Sequence, residues 1–481
     1  MLGNTPRLRL TGLTREVRLA KPRRGKGGRK VNDVKDIEMQ SNQTDSTVLE
    51  TTKQGPDTRD PRQWAWVEAS VWTERMLAAL VNGVKGGKWF SLMDKVYLRR
   101  NLEAAWRRVA SNGGAAGVDK VSIKRFAAHQ ERYLSELEQA LRTGSYRPQA
   151  VRRVYIPKPG GKQRPLGIPT VKDRIVQTAL KQVLEPIFEN EFLDMSYGFR
   201  PGRGCKDALR HVDRLLKSGY TWVVDADFAS FFDTIPHVSM MERLKEYLSD
   251  GRVLALLERY LKQGILDGMT HWTPTQGTPQ GAVASPLLAN IYLHKLDKEL
   301  VKAGYQVVRY ADDFVILCQN REQAQQALSQ VQAWTHANGL RLHPDKTHLG
   351  NCLEAGQGFE FLGYRFEAGR RYVRKKSWNA LRDKIRQKTK RTCGKSLQRI
   401  IAELNPMLIG WFGYFKHAYP TTFSYLDGFI RRRLRAILRK QQKRPGQGHT
   451  LKDHQRWPNA LFAEQGLFTT YEAHVAACRS R

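Results

Sequence analysis

Two apolar runs bracket a polar tip in the second half of the chain. Val307-Val308 precede Tyr310-Ala311-Asp312-Asp313, and Phe314-Val315-Ile316-Leu317 follow it. This pattern predicts a tight β-hairpin with two carboxylates at its tip. Upstream, Val223-Val224 predicts a buried strand that ends in Asp225 and Asp227. Strand side chains alternate, so those two carboxylates share a face. Helical periodicity is clearest over Asp173 to Glu191, with Ile175, Ala179, Leu180, Val183, Leu184 and Ile187 on one side. Val238 to Ile265 predicts two helices broken near Asp250-Gly251, and Arg321 to Asn338 predicts another. Trp64 to Val109 reads as largely helical. Further on, Leu397, Ile400, Ile401 and Leu404 form a stripe ending before Pro406. Ser424 to Lys443 predicts a long helix with Leu426, Phe429, Ile430, Leu434, Ile437 and Leu438 inward. Residues 1–60 show little periodicity and few aromatics, which predicts a disordered basic and polar tail. Its Lys21 to Lys30 stretch suits either RNA contact or a solvated tail.

The 481-residue length allows two or three domains, and 41% hydrophobic content supplies a substantial core. The formal net charge is +35, which points to a polyanionic partner held in a salt-sensitive way. The charge is clustered: Arg371 to Arg444 holds 21 Lys/Arg against Asp383, Glu403 and Asp427. Arg431, Arg432, Arg433 and Arg435 are too dense for a merely solvated face and are the candidate RNA-binding residues. The interleaved aromatics are expected mainly in the core. No run of about 18 apolar residues predicts a membrane span, and no apolar core of a signal peptide opens the chain. The five scattered cysteines contain no Cys-x-x-Cys pair, so free thiols in a reducing cytoplasm are expected, with no structural zinc.

Carboxylates on a rigid turn suit a hard divalent cation. Two such ions, held by Asp227 and Asp312 from adjacent strands, could bind the attacking and leaving oxygens of a phosphoryl transfer. Spacing alone does not choose between Asp225 and Asp227. Ser111 to Asp119 is Gly-rich but lacks the Gly-Lys-Ser/Thr of a Walker loop.

The ordered blocks carry a more specific signal. Ile156-Pro157-Lys158-Pro159-Gly160-Gly161-Lys162 leads into Arg164-Pro165-Leu166-Gly167-Ile168-Pro169. Ser196-Tyr197-Gly198-Phe199-Arg200-Pro201-Gly202-Arg203 follows, then the Asp227 strand. Next come Gln276-Gly277-Thr278-Pro279-Gln280-Gly281, Ser285-Pro286-Leu287-Leu288-Ala289-Asn290 and the Tyr310-Ala311-Asp312-Asp313 tip. Leu340 to Thr347 and Phe361-Leu362-Gly363-Tyr364 complete the series. This order, from about residue 90 to about 370, resembles group II intron-encoded reverse transcriptases with maturase activity. Gly410-Trp411-Phe412-Gly413-Tyr414-Phe415 resembles their maturase-specific thumb, and the chain's end resembles members lacking an endonuclease.

The resemblance implies an α+β right-hand polymerase: fingers and palm over 61–370 with an N-terminal extension, and a helical basic thumb over 371–445. A short tail over 446–481 would support DNA binding or the thumb. It implies an RNA-directed DNA polymerase that also assists splicing and mobility of its intron. Two alternatives are a splicing cofactor that works by binding, and a host-adopted enzyme of repair or defence. The family's Asp-x-x-x-x-Phe-Asp block maps the metal ligand to Asp227 rather than Asp225. Asp312, Asp313 and the Phe228 backbone carbonyl complete the catalytic metal site for two Mg²⁺, with Mn²⁺ as a substitute. Lys162 and Arg164 would bind the triphosphate, Phe232 would be the steric gate against a 2′-OH, and Gln280 would touch the nucleotide. Tyr310 would pack near the primer end, and Lys346 would support the palm or the primer. Implied partners are intron RNA, an RNA template with a DNA or RNA primer, dNTPs and target DNA, with no membrane. The implied location is the cytoplasm, in a bacterial cytosol or nucleoid.

Overall fold

The computed structural model describes residues 64–479 except 85, 158–160 and 162. The expected tail over 1–60 and Lys162 therefore lie outside the described residues. The described chain opens with helices α1 (Glu74–Asn82), α2 (Met93–Tyr97), α3 (Arg99–Asn112), α4 (Ile123–Ala128) and α5 (Gln130–Thr143). Strands β1 (Val151–Pro157) and β2 (Gln163–Ile168) form an antiparallel hairpin. The long, largely buried α6 (Val171–Glu191) follows. Its start is set by Thr170, whose hydroxyl accepts from the Asp173 amide. The periodicity predicted one buried side, but α6 is buried nearly all round, including Gln177, Gln182 and Glu185. Part of this buried polarity is bonded: Gln177 Oε1 accepts from the Val283 and Ala284 amides, while Gln177 Nε2 and Gln182 Oε1 have no hydrogen-bond partner among the described residues.

The central region holds α7 (Cys205–Lys217), β3 (Trp222–Asp227), α8 (Phe231–Thr234), α9 (His237–Tyr247) and α10 (Gly251–Leu261). Strands β4 (Ile265–Asp267) and β5 (Thr270–Trp272) extend the first sheet, in the order β2-β1-β4-β5. Helix α11 (Ser285–Lys302), strands β6 (Gln306–Tyr310) and β7 (Asp313–Cys318), helix α12 (Arg321–Ala337) and strand β8 (His348–Asn351) complete a second sheet, in the order β6-β7-β3-β8. Alternation splits its side chains between two cores. Val224, Ala226, Phe314 and Ile316 face the helices, while Val223, Val308, Val315 and Leu317 face the opposite side. This sheet, which carries the acidic hairpin, stands where the resemblance implies a palm. Among the described residues, no helix is long and apolar enough to cross a membrane.

A three-stranded sheet of β9 (Phe359–Phe361), β10 (Tyr364–Glu367) and β11 (Arg370–Val373) leads to the thumb. The boundary expected at 370/371 falls inside β11, which pairs with β10. Helices α13 (Lys375–Lys388), α14 (Leu397–Phe415) and α15 (Thr421–Gln441) then pack through Leu381, Ile385, Ile401, Leu404, Ile430 and Leu434. The stripe expected to end before Pro406 does not end there, because Pro406 lies inside α14. Proline removes one helical hydrogen bond, but Leu408 continues the stripe and is fully buried. The last helices, α16 (Leu451–Arg456), α17 (Asn459–Glu464) and α18 (Thr470–Arg479), fold back on the thumb. Trp457, Phe462 and Leu467 join its core. The Asp427 carboxylate pins α18 by accepting from the Thr470 amide and hydroxyl and from the Tyr471 amide.

Candidate active site

The acidic hairpin forms as expected. Tyr310 pairs with Asp313 across a two-residue loop of Ala311 and Asp312. Ala311 sits at φ +61°, a left-handed conformation that alanine adopts only under constraint. Three neighbours impose it. Arg309, fully buried, donates to the Ala311 carbonyl at 2.9 Å. Its guanidinium is paired with the buried Asp297 and donates to Asn290 Oδ1. Asn290 in turn donates to the Gly198 carbonyl. Gly198 lies against the turn so closely that a Cβ there would be 2.2 Å from the Ala311 nitrogen, which only glycine permits. The Tyr197-Gly198-Phe199 and Ser285-to-Asn290 blocks thus act as the mount of the hairpin.

Asp227 stands opposite Asp313 in the β3–β7 register. By alternation Asp225, Asp227 and Asp313 share one sheet face, and Asp312 projects from the adjoining turn. All four line a cleft of about 590 Å³ with Arg164, Lys346 and Arg374. Lys346 donates to Asp227 Oδ2 at 2.5 Å, which gives the Leu340-to-Thr347 block a definite place at the site. Burial raises the Asp312 carboxyl, and Asp227 adds to the rise while Arg164 opposes it. Burial, then the charges of Asp312 and Asp227, push Asp313 up to about 7. Burial and Asp313 push Asp225 up to about 8. The amide of His343 donates to the Asp227 carbonyl, and that of Ala229 to the Arg341 carbonyl. The backbone on either side of Phe228 is thereby fixed, and the Phe228 ring is buried.

This donor set fits a divalent metal. It is all oxygen, and mutual repulsion among its carboxylates would be relieved by a cation. Among the described residues no three His, Cys, Asp or Glu side chains form a ready-made cage. Mg²⁺-type sites in polymerases have that character, using one or two carboxylates plus the substrate phosphates. One consequence is measurable. Carboxyls raised in the folded state bind protons that the unfolded chain has already released, so stability falls as pH rises from about 4 to about 8. A divalent metal offsets the same repulsion. Thermal melts with and without metal should therefore differ more at pH 8 than at pH 6. Equal shifts at both pH values would contradict the assignment.

Phe232 and Gln280 meet at an adjoining cleft of about 370 Å³, with Asp233, Arg153, Gly167 and Trp272 also on its walls. Backbone bonds hold it in shape. The Thr278 amide donates to the Phe232 carbonyl at 2.6 Å, and the Gly167 amide to the Gln280 carbonyl at 2.7 Å. Gln280 Nε2 donates to Asp233 Oδ2 at 3.0 Å. Gly277, at φ +87°, packs on the Asp233 backbone, where a Cβ would lie 2.8 Å away. Strand β2 joins the clefts: Arg164 lines the acidic one, while Pro165 and Gly167 line the other. Tyr310 packs near Phe199, with ring centroids 6.5 Å apart.

The four thumb arginines divide. Arg435 is buried, contrary to the expectation that it binds RNA. It donates to the Trp457 carbonyl and to Asn459 Oδ1, so the returning tail consumes it. Arg433 is also engaged: it donates to the Thr389 hydroxyl and carbonyl and to the Arg386 carbonyl. There it satisfies the carbonyl end of α13. Arg431 and Arg432 are half-buried and make no hydrogen bond or ion pair with other described residues.

Residues 156–366 match the family described as reverse transcriptase (RNA-dependent DNA polymerase). Residues 378–457 match the group II intron, maturase-specific domain. Protein YkfC of Escherichia coli (strain K12) is 36% identical over 303 residues, covering 55% of this chain and 79% of YkfC. Group II intron-encoded protein LtrA of Lactococcus lactis subsp. cremoris is 41% identical over 213 residues, covering 44% of this chain and 35% of LtrA. A chain of a partial Cas6-RT-Cas1–Cas2 complex is 27% identical, covering 51% of this chain and 41% of that one, with a TM-score of 0.32. The palm site and the first match define the class: an RNA-directed DNA polymerase that depends on divalent metal. With the maturase domain following it, the chain belongs to the group II intron-encoded reverse transcriptases with maturase function.

Proposed function

We propose that this chain copies an RNA template into DNA at the palm and holds its intron RNA on the thumb. The polymerase part rests on one observation: the acidic cleft and the Phe232–Gln280 cleft adjoin and share β2. Asp227 and Asp312 would hold Mg²⁺, with Asp313 and the Phe228 carbonyl supporting them. Bound there, Mg²⁺ supplies activation of the primer 3′-OH and neutralisation of the departing pyrophosphate. The 3′-oxygen forms a bond to the α-phosphorus of a dNTP as the bond to pyrophosphate breaks. Arg164 faces the developing negative charge and stabilises it. Lys346 holds Asp227 in position before the nucleotide arrives. Gln280, fixed to Asp233, borders the sugar and base. The target DNA that receives the intron is the further partner of this reading.

Phe232 is half-buried at the cleft wall, so its ring limits the space beneath the sugar. Phe232→Val should let ribonucleotides in. The dNTP-over-rNTP preference should fall by roughly 10–200-fold, the range that pocket shape supplies. Single-nucleotide incorporation on an RNA template measures the ratio. An unchanged ratio in an active variant would place sugar selection elsewhere. The whole reading is tested by primer extension on RNA together with assisted splicing of a candidate intron. A chain that does neither with metal and dNTPs supplied would refute it.

A further inference from the structure

A groove on the thumb is not used by the polymerase site. It lies between α13 and α15, is closed at one end by β11, and has a volume of about 570 Å³. Trp378 and Arg382, four residues apart, form one wall; Tyr425 and Phe429, also four apart, form the other. That spacing aligns each pair along a single helix face. Tyr425 is 72% exposed. The guanidinium of Arg382 lies 4.8 Å from the Phe429 ring centroid, that of Arg386 5.7 Å, and that of Arg432 5.8 Å.

The charge here is unbalanced. No carboxylate lines the groove. Arg382 and Arg432 make no hydrogen bond or ion pair with other described residues. Asp383, on the same helix, is already paired with Arg386 at 2.6 Å. A slot with aromatic walls, lined by Arg382 and with Arg432 against its Phe429 ring, neither guanidinium having an anionic partner among the described residues, is complementary to a flat, neutral ring carried on a polyanion. An unstacked nucleobase has that chemistry. Single-stranded and bulged RNA bases are held by stacking on aromatic rings and guanidinium planes, with basic groups on the flanking phosphates. A paired helix offers no free base to such a slot.

We propose that this groove takes one unpaired base of a bound RNA, stacked against Tyr425 and Trp378, with Arg382 and Arg432 holding its phosphates. The proposal rests on the reading of the thumb as an RNA-binding surface and adds that the thumb distinguishes unpaired from paired RNA.

The test uses the full chain and three RNA hairpins of one stem sequence: uninterrupted, with a single bulged nucleotide, and with an abasic bulge. Fluorescence anisotropy at fixed salt gives the affinities. The wild-type chain should bind the bulged hairpin about 5–150-fold more tightly than the abasic one, the range one stacked base supplies. Tyr425→Ala should erase that preference while leaving weaker, unselective binding. Its exposed ring makes folding a minor concern, and a thermal melt checks it. Arg382→Gln should lower affinity for all three hairpins. Equal wild-type affinity for the bulged and abasic hairpins, as expected if the groove takes a peptide instead, would overturn the proposal. A preference that persists in a folded Tyr425→Ala chain would also overturn it. If instead neutralising Arg431 and Arg432 left all RNA affinity unchanged, the thumb reading itself would fail.

Discussion

If Asp312 holds the metal as proposed, Asp312→Asn should lower primer extension by at least ~10³-fold, because losing such a ligand removes several kcal/mol of transition-state stabilisation and each 1.36 kcal/mol is a factor of ten. The fold should not suffer. Asp312 is held in a partly desolvated turn beside Asp227, and that environment raises its carboxyl. Asparagine keeps the shape and removes a charge that the metal-free site tolerates at a cost, so the variant's melting temperature should match or exceed the parent's. Gain of stability with loss of activity is the usual trade at a strained functional site. Asp227→Asn should lose activity to the same degree, and it also weakens the pairing with Lys346. Primer extension with matched denaturation curves measures both. An Asp312→Asn chain that extends primers at near parental rates would remove this carboxylate from the metal site.

Much of this site could be read from the chain itself. Apolar runs on both sides of Tyr310-Ala311-Asp312-Asp313 fixed a hairpin, and alternation alone put Asp225 and Asp227 on one face. Local rules suffice for such features because they depend on neighbours in sequence. The hairpin's mount was less legible. Arg309 looks like an ordinary strand residue, yet it is fully buried and paired with Asp297, twelve residues away on α11. The only local hint was an arginine in an apolar run, which has to find a partner if buried. Lys346 could be located but not given a role, since its distance from Asp227 depends on how β8's approach crosses the palm. The thumb misled local reading twice, for one reason. Pro406 and Arg435 carry strong local signals, a helix stop and a free cation, and tertiary packing overrides both. Leu408 carries the helix past the proline, and the returning tail occupies the arginine. Clustered charge shows that a region meets a polyanion without showing which members of the cluster are available.

That division of the arginines leads to an expected separation of roles. Arg431→Gln with Arg432→Gln should weaken RNA binding and flatten its salt dependence by about 0.7–0.9 in log–log slope per lost phosphate contact. Neither side chain makes a hydrogen bond or ion pair with other described residues, so the doubly substituted chain should melt as the parent does. Arg435→Gln should behave differently. It leaves the Trp457 carbonyl and the Asn459 side chain without their charged donor, at a cost of about 1.5–3 kcal/mol. Its RNA affinity should approach the parental value at temperatures where the thumb remains folded, with the salt slope intact. Asp227→Asn is the third arm: it removes the proposed metal ligand, far from α15 in sequence, so it should stop DNA synthesis and leave RNA affinity unchanged. Assisted splicing should follow RNA affinity, falling in the Arg431/Arg432 chain and persisting in the Asp227 variant. If splicing instead tracked polymerase activity across the three variants while RNA affinity did not, the thumb and palm would act as one machine. A salt slope that fell for Arg435→Gln but not for the Arg431/Arg432 pair would return the buried arginine to the RNA surface and contradict the packing described here.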